Sequence, residues 1–285
     1  MQYKLEYSAT NKYAQQVFGA YMKFLIHPYA AFGVQASFPF FQTSADGTWW
    51  TSNSRKQEVT EIFFKTEMRF ETLDVLYSTD VFVPEVNPFE REWLAVNKEK
   101  AVLLSESWIV DNYKYISSST HRLKSFLSAQ DLLVFMLPNK GNLIEKIIAL
   151  RDQLHVYLEF APGVTTTQTI ASEVMQMKKG VCQDFVHVFL AILRNHGIAA
   201  RYTSGYLHEG DKIRGASQLH AWVECHIPNV GWVGIDPSNK LLVDHNYVKI
   251  CHGYDYDDCM PLRGVVNTYS LNQSSNYQVK VQQIQ

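Results

Sequence analysis

A cysteine, a histidine and an aspartate occur in an order that suits thiol-based acyl transfer, and the cysteine comes first. Cys182 lies in the run Gly-Val-Cys-Gln-Asp-Phe at 180–185. Apolar residues recur at helical spacing from 184 to 196 and Gly197 supplies a stop signal, so Cys182 is predicted at or just before the first turn of a helix. Unpaired backbone N–H groups and the positive end of the helix dipole favour a thiolate there, and the thiolate is the nucleophilic form.

The base that such a thiol needs is found in residues 218–227, which alternate with period two. The odd-numbered positions are apolar, whereas the even-numbered positions carry His220, Trp222, Glu224 and His226. This is the pattern of a half-buried strand, and it points His220 away from the apolar row. His220 is therefore the candidate that exchanges a proton with the thiol and the leaving group.

The aspartate depends on how this strand pairs with the next one. Residues 228–230 are predicted as a turn and 231–236 as a second strand. A three-residue loop places Asp236 opposite Trp222 and diagonal to His220, at about 7 Å between backbones, which a carboxylate and an imidazole can span. A four-residue loop would put Asp236 on the other face, so the catalytic interpretation requires this register.

The same residues resemble the transglutaminase-like (papain-like) superfamily of bacterial proteins, whose members are often named as candidate cysteine proteases. The resemblance covers about 150–265 and rests on the run around Cys182 and on further motifs. These motifs are Phe-Ala-Pro-Gly at 160–163, Gly-Ile-Ala-Ala-Arg-Tyr at 197–202, Ser-Gly-Tyr at 204–206, His-Ala-Trp-Val-Glu at 220–224, Gly-Trp-Val-Gly-Ile-Asp-Pro-Ser-Asn at 231–239, Gly-Tyr-Asp-Tyr at 253–256 and Pro-Leu-Arg-Gly at 261–264. It implies that Cys182 is the nucleophile, His220 the general base and Asp236 its orienting partner. Tyr254 stands where relatives often carry arginine.

The resemblance also implies an α+β fold, in which a papain-like catalytic core of helices on an antiparallel sheet follows a β-rich N-terminal domain. The predicted domains are 1–110, joined by 265–285, and 111–264, which holds a connector and the catalytic core. Runs of β-branched and aromatic residues support the β-rich part. They predict short strands at 3–7, 35–38, 58–64 and 68–73, with a turn at Asp46-Gly47.

Beyond the strands, 86–130 is predicted as a connector, and helical spacing returns at 143–158 and 167–177. Residues 277–284 alternate like a strand and follow a core that should be complete by about residue 260. Because an isolated polar strand is not stable in water, this strand is expected to join the N-terminal sheet.

Other residues of the same chemical types have simpler interpretations. His187, five positions after Cys182, lies well round the helix and is interpreted as a surface or satisfied core histidine. His226 lies near the turn and is interpreted as a solvated edge histidine. Trp222 and Trp232 are aromatic core or rim candidates, and Trp222 is the predicted substrate-binding residue, as a wall of the acyl pocket.

Composition limits the partners and the location. The chain of 285 residues has a net charge of −2 and a pI near 6.5, and it contains no run of lysine or arginine. Nucleic acid and anionic membrane are therefore not expected as partners. Residues 1–7 alternate like a strand and lack the apolar run of a secretory signal, and no apolar stretch approaches the about 20 residues of a membrane span. A cytoplasmic location is the expectation.

The four cysteines form no Cys-x-x-Cys pair, and in the cytosol they should stay reduced. Cys225 and His226 are adjacent on a strand and point to opposite faces, so they cannot easily share a zinc ion. The acidic positions 255–258 lack the glycine and the terminal glutamate of a calcium loop. No metal or other cofactor is expected.

Two classes of function remain. The first is an enzyme that attacks an amide carbonyl of a peptide or protein through Cys182 and forms an acyl-enzyme. Hydrolysis by a protease or amidase is the favoured outcome and protein-glutamine transglutaminase activity is the alternative; loops such as 209–212 would decide between them by excluding water. The second class is a binding or scaffold module that retains the fold. The sequence does not indicate the oligomeric state.

Overall fold

The chain folds into three antiparallel sheets, a short parallel pair of strands and six α-helices within the part described by this computed structural model. The described residues are 1–31, 33–54, 59–85, 87, 90–117, 123–208, 218–269 and 272–284. This mixture of helices and antiparallel sheet, with a β-rich N-terminal region, confirms the predicted fold class.

Two of the sheets are built from the N-terminal region and two C-terminal strands. The first sheet contains β1 (Gln2–Val17), β3 (Gln35–Ala36), β4 (Phe40–Thr43), β7 (Phe70–Phe82) and β16 (Gln273–Ile284). Its order is β16-β1-β7-β3, and β4 also pairs with β7. The second sheet, in the order β15-β2-β6-β5, contains β2 (Ala20–Phe24), β5 (Thr48–Ser54), β6 (Val59–Thr66) and β15 (Leu262–Val266).

β1 shows why these strands form. Its odd-numbered side chains from Tyr3 to Tyr13 are buried, whereas most of the even-numbered ones are partly or fully exposed. This period of two fixes one face of the strand on the core. The strand continues well past the predicted end at residue 7, because Ala9, Asn11 and Tyr13 keep the same alternation.

The C-terminal strand pairs with β1 along most of its length. The antiparallel ladder runs from Gln2 opposite Ile284 to Tyr13 opposite Gln273. The strand expected at 277–284 therefore joins the N-terminal sheet and begins four residues earlier than predicted. The sheet combines segments that lie far apart in the sequence.

The region predicted as a connector contains helices. They are α1 (Val96–Leu103), α2 (Glu106–Ile116), a 3-10 helix (Leu123–Ser125) and α3 (Ala129–Leu132). The Ser105 hydroxyl accepts a hydrogen bond from the Trp108 N–H at 3.3 Å and caps α2. The boundary predicted at residue 110 falls inside α2, and the one at residue 264 falls inside β15. The change from strands to helices lies instead between β7 and α1.

The third sheet carries two of the three candidate catalytic residues. Its order is β13-β12-β11-β10-β14, with β10 (Ala200–Leu207), β11 (His220–Ile227), β12 (Gly231–Asp236), β13 (Leu241–Leu242) and β14 (Tyr247–Gly253). Ile227 pairs with Gly231 and Val223 with Ile235. This is the register of a three-residue loop, so the pairing prediction is confirmed. The half-buried pattern is wrong for the first half of β11, where residues 220–223 are all buried.

Helix α6 (Cys182–Asn195) packs on β10 and β11 at the centre of this core. All of its residues from Asp184 to Arg194 are buried, polar ones included, so the fold covers the helix on every side. Helices α4 (Leu143–Tyr157) and α5 (Ala171–Met177) pack against it. The parallel pair of β8 (Glu159–Phe160) and β9 (Lys179–Gly180) leads the chain directly into α6.

Candidate active site

Cys182 is the first residue of α6, as the helical spacing predicts. The carboxylate of Asp184, two residues further on, accepts hydrogen bonds from the Val181 N–H at 2.7 Å and from the Thr165 hydroxyl at 2.6 Å. Burial raises the pKa of Asp184, and these two hydrogen bonds oppose that rise. The contacts fix the path of the chain on both sides of the cysteine.

Gly180 is required at this entry because the chain passes very close to Asp184. A Cβ atom at position 180 would lie 2.6 Å from the Asp184 Cβ and 2.7 Å from its Oδ2. Real Cβ atoms do not approach this closely. The spacing of glycine, cysteine and aspartate in the 180–185 run therefore has a packing cause as well as a chemical one.

Accessibility separates Cys182 from the other three cysteines. All four are free thiols, and Cys182 is partly exposed, whereas Cys225, Cys251 and Cys259 are buried. Burial raises the pKa of the Cys225 and Cys259 thiols, so these two stay protonated. Of the four, Cys182 is the one that a substrate can reach.

His220 and Asp236 form a fully buried pair behind this thiol. The His220 Nε2 lies 2.6 Å from the Asp236 Oδ2, and both side chains are 0% exposed. Burial by itself lowers the pKa of His220, but the charge and hydrogen bond of Asp236, and then Cys182, raise the pKa above its usual value. Asp236 therefore favours the protonated form of the His220 ring.

The second ring nitrogen of His220 has a different environment. The Nδ1 atom is buried and has no hydrogen-bond partner at normal distance and angle among the described residues. Because Nε2 is occupied by Asp236, Nδ1 is the atom left for the Cys182 thiol, whose interaction helps to raise the pKa of the imidazole. Cys182, His220 and Asp236 are thus brought together in the order that proton transfer requires.

The carboxylate of Asp236 is held by three residues that the sequence analysis did not single out. Oδ1 accepts from the Ser238 hydroxyl at 2.7 Å and from the backbone N–H groups of Ser238 and Asn239. Oδ2 accepts from the Asn239 amide and the Tyr247 hydroxyl, both at 2.9 Å. Burial raises the pKa of Asp236, but His220, Asn239 and Ser238 lower it well below its usual range. The Asp-Pro-Ser-Asn segment is the signal for this turn, because small polar residues after an aspartate bond back to it.

Trp222 does not lie on an accessible wall of the site. It is 1% exposed, and its ring meets that of Tyr247 edge-on at 5.4 Å. A Cβ atom at Gly205, which pairs with His220, would lie 2.6 Å from the indole. The prediction that Trp222 contacts the substrate is therefore wrong for this structure, because the indole is buried between Tyr247 and Gly205.

The two rival histidines are both held away from the thiol. His187 is 1% exposed, and burial, with Lys124 and Arg194 nearby, lowers its pKa to about 3, so it is a neutral core histidine. His226 is stacked between Trp108 and Trp232, with ring centroids at 4.6 and 4.8 Å. The interpretation of His226 as a solvated edge residue is wrong, because α2 covers this part of the strand.

Among the residues with described positions, no three histidine, cysteine, aspartate or glutamate side chains lie together as metal ligands. No helix in the described ranges has the length and hydropathy to cross a membrane. The loop 209–212, which the sequence predicts to govern water exclusion, lies outside the described residues.

Known proteins connect this geometry to a family. Residues 130–237 match the model of the transglutaminase-like superfamily, and the match contains Cys182, His220 and Asp236. Uncharacterised proteins of Mycobacterium bovis and Mycobacterium tuberculosis are each 36% identical to the chain over 151 residues, which is 50% of this chain and 48% of theirs. The chain thus spans about half the length of the curated relatives it matches.

A solved structure shows the likeness over the whole fold. The chain superposes on a candidate cysteine protease from Cytophaga hutchinsonii with a TM-score of 0.74, covering 99% of this chain and 90% of the other. The two share 20% sequence identity. The likeness shows that the N-terminal sheets and the core occur together in another protein of this fold.

Proposed function

Since residues 130–237 match the model of the transglutaminase-like superfamily, we propose that the chain is a cysteine-dependent enzyme that cleaves amide or peptide bonds. One observation carries the proposal. A fully buried imidazole is bound by Asp236 at one nitrogen, 2.6 Å away, and has its other nitrogen free for the one partly exposed cysteine. A binding module has no need for a thiol, an imidazolium and a carboxylate in this order.

The proposed reaction begins at the Cys182 sulfur. The thiolate attacks the amide carbonyl, and a C–S bond forms as the C–N bond breaks. His220 gives its proton to the departing amine, which leaves a thioester on Cys182. His220 then takes a proton from water as the hydroxide attacks the thioester carbonyl, the C–S bond breaks, and the acid product leaves with the thiolate and the protonated His220 restored. Asp236 keeps the ring oriented and stabilises its protonated form.

The developing negative charge on the carbonyl oxygen needs donors. Cys182 is the first residue of α6, so its backbone N–H has no acceptor within the helix. This N–H and the positive end of the helix dipole are proposed to stabilise the oxyanion. No side-chain donor is assigned.

Alkylation kinetics test the reactive thiol. The rate of Cys182 modification by iodoacetamide, followed by peptide mass spectrometry between pH 5 and 9, should be high even at acidic pH in the native protein. It should fall strongly at pH 6 in His220→Gln, whereas a thiol that is merely exposed would react equally in both proteins. Equal rates would contradict the proposal and favour the non-catalytic module.

The fate of the acyl group needs a separate measurement. Digestion of a protein substrate in ¹⁸O-labelled water, with and without a primary amine, should place ¹⁸O in new carboxyl groups if water is the acceptor. Incorporation of the amine into glutamine side chains, without new carboxyl groups, would identify protein-glutamine transglutaminase activity instead.

A further inference from the structure

A long groove opens between β15 and β16, the strands at the edges of the two N-terminal sheets. Its volume is about 670 Å³, which is within the usual range for ligand sites. Tyr7, Ala9, Asn11 and Tyr13 of β1 line it on one side. Six residue steps along a strand measure about 20 Å, so the groove is long enough for about six residues of extended peptide.

One end of the groove lies beside the start of α6. Thr167 lines it, and the carbonyl of the preceding residue, Thr166, accepts a hydrogen bond from the Gln183 side chain at 3.0 Å. Tyr256 also lines it, and its backbone N–H donates to the His187 Nε2 at 3.4 Å. Gln183 and His187 are both on α6, so these contacts place Thr167 and Tyr256 beside the first two turns of the helix that begins at Cys182.

Three tyrosines gather at this end from three parts of the chain. They are Tyr7 of β1, Tyr277 of β16 and Tyr256 of the 3-10 helix Tyr256–Cys259. The rings of Tyr7 and Tyr277 stack with centroids 5.9 Å apart. Burial, then Tyr256 and Cys182, raise the pKa of Tyr277, which means that its phenol is within electrostatic range of the thiol.

The groove is polar but uncharged. Its described lining contains phenol, amide and hydroxyl groups together with apolar side chains, and no lysine, arginine, aspartate, glutamate or histidine. The Ser275 hydroxyl donates to the Asn11 side chain at 2.7 Å, so part of the floor is already fixed. A charged side chain of a ligand would lose water there without gaining an opposite charge. An edge strand can also pair its backbone with an added extended peptide.

We propose that this groove binds an extended, uncharged segment of the peptide substrate next to the bond that Cys182 attacks, and that Tyr277 is a specificity-determining residue. The inference rests on the proposed function of Cys182. It gives the N-terminal sheets a role in substrate selection, since β1 and β16 supply the groove while α6 supplies the nucleophile.

Two peptide reagents test this. Both are acetylated hexapeptide chloromethyl ketones; one contains alanine, serine and glycine, and the other carries aspartate or lysine at alternate positions. The neutral reagent should modify Cys182 at least about tenfold faster than the charged one. Tyr277→Ala should slow the neutral reagent about tenfold, and Tyr277→Phe about threefold through loss of a hydrogen bond. Iodoacetamide, which is too small to fill the groove, should react at the native rate with each variant.

Tyr21→Ala is the matched control, because Tyr21 is a 45% exposed tyrosine of the second sheet that does not line the groove. It should leave both rates unchanged. Two results would overturn the proposal that the groove binds the substrate while leaving the proposed role of Cys182 intact. They are equal rates for the neutral and charged reagents, and an unchanged ratio of peptide to iodoacetamide rates in Tyr277→Ala. Modification of Cys182 that does not depend on His220 would overturn the proposed function and this inference together.

Discussion

Two buried ionic groups lie on the same face of β11 and have opposite characters. At one end, His220 pairs with Asp236 and keeps one ring nitrogen free of ordinary hydrogen bonds. Four residues along, both oxygens of Glu224 are used. Lys249 lies 2.8 and 2.6 Å from them, and the Arg201 Nε lies 2.7 Å from Oε2. The two groups lie on one strand and one face, and both are largely shielded from solvent. They differ in whether a polar atom is left without a hydrogen-bond partner.

That difference distinguishes a group that can take part in a reaction from a group that stabilises the fold. Every charge around Glu224 has its partner in the fold, so the charges of this cluster stabilise and orient one another. The His220 pair has an unused nitrogen that faces a partly exposed thiol. Perturbed ionisable groups mark functional sites only with some probability, since structural ion networks perturb pKa values too. The free atom is what distinguishes these two.

The largest expected effect is the loss of activity in Cys182→Ala. Turnover should fall by about 10⁴-fold or more, because the nucleophile is removed, while the melting temperature stays close to the native value. Cys182→Ser should fail as well, since a hydroxyl is far less acidic than a thiol. Initial rates on a protein substrate and a thermal melt provide the check.

Cys251→Ala is the matched control for that experiment. Cys251 is 1% exposed and lies in the core, so its loss should lower stability and leave turnover per folded molecule intact. Turnover by Cys182→Ala within about tenfold of the native rate would contradict the assignment of the nucleophile.

Asp236→Asn should have the next largest effect, a fall in kcat/KM of about 10²- to 10³-fold. The amide can still orient His220, but it cannot stabilise the imidazolium by charge. The rate of Cys182 alkylation at pH 6 should therefore fall. Asp152→Asn, at a partly exposed carboxylate that pairs with the buried Arg151, should leave that rate unchanged. An unchanged alkylation profile in Asp236→Asn would rule out the aspartate as the third member.

The local parts of this site were predictable from sequence, and the distant parts were not. The position of Cys182 follows from helical spacing, and the meeting of His220 with Asp236 follows from the length of one hairpin loop. Both involve residues close together in the chain. The covering of Trp222 and His226 depends on segments such as Tyr247 and α2, which no local pattern connects to β11.

The groove is the clearest case of this limit. Tyr7 and Tyr277 are 270 positions apart in a chain of 285 residues. The sequence predicts that the C-terminal strand joins the N-terminal sheet, but it predicts neither its partner strand nor its register. The stacking of the two tyrosines requires the full ladder between β1 and β16, together with the placement of Tyr256 beside α6. Strand pairing between such distant segments is set by the whole fold.

Glu224→Gln tests the structural role of the ion pairs that Glu224 makes with Lys249 and Arg201. Removing one charge leaves Lys249 and Arg201 buried without their partner, so the free energy of unfolding should fall by about 3 kcal/mol. Cleavage by the folded fraction should change less than threefold. Glu61→Gln, which breaks the more exposed pair with Lys23, should cost less than about 1 kcal/mol. Urea denaturation measures both variants. A loss of turnover as large as that of Asp236→Asn would mean that the two groups are not separate in function.

The smallest expected effect is the pH dependence of stability that Glu224 contributes. Burial raises the pKa of Glu224, but Lys249 and Arg201 overcome this and lower it from 4.5 to about 2. A carboxyl whose pKa is lower in the folded state stabilises the protein at pH values above the unfolded pKa. That contribution is lost as the pH falls from about 4.5 towards 2, and it should amount to about 2 kcal/mol. The contribution of Asp236 to stability is lost in the same acid range. The Glu224 contribution is therefore obtained as the difference in the free energy of unfolding between the native protein and Glu224→Gln. Urea denaturation at pH 6, 4 and 3 should show that the difference in the free energy of unfolding between the two proteins becomes smaller as the pH falls. A difference that stays constant down to pH 3 would mean that the Glu224 charge is not what the network stabilises.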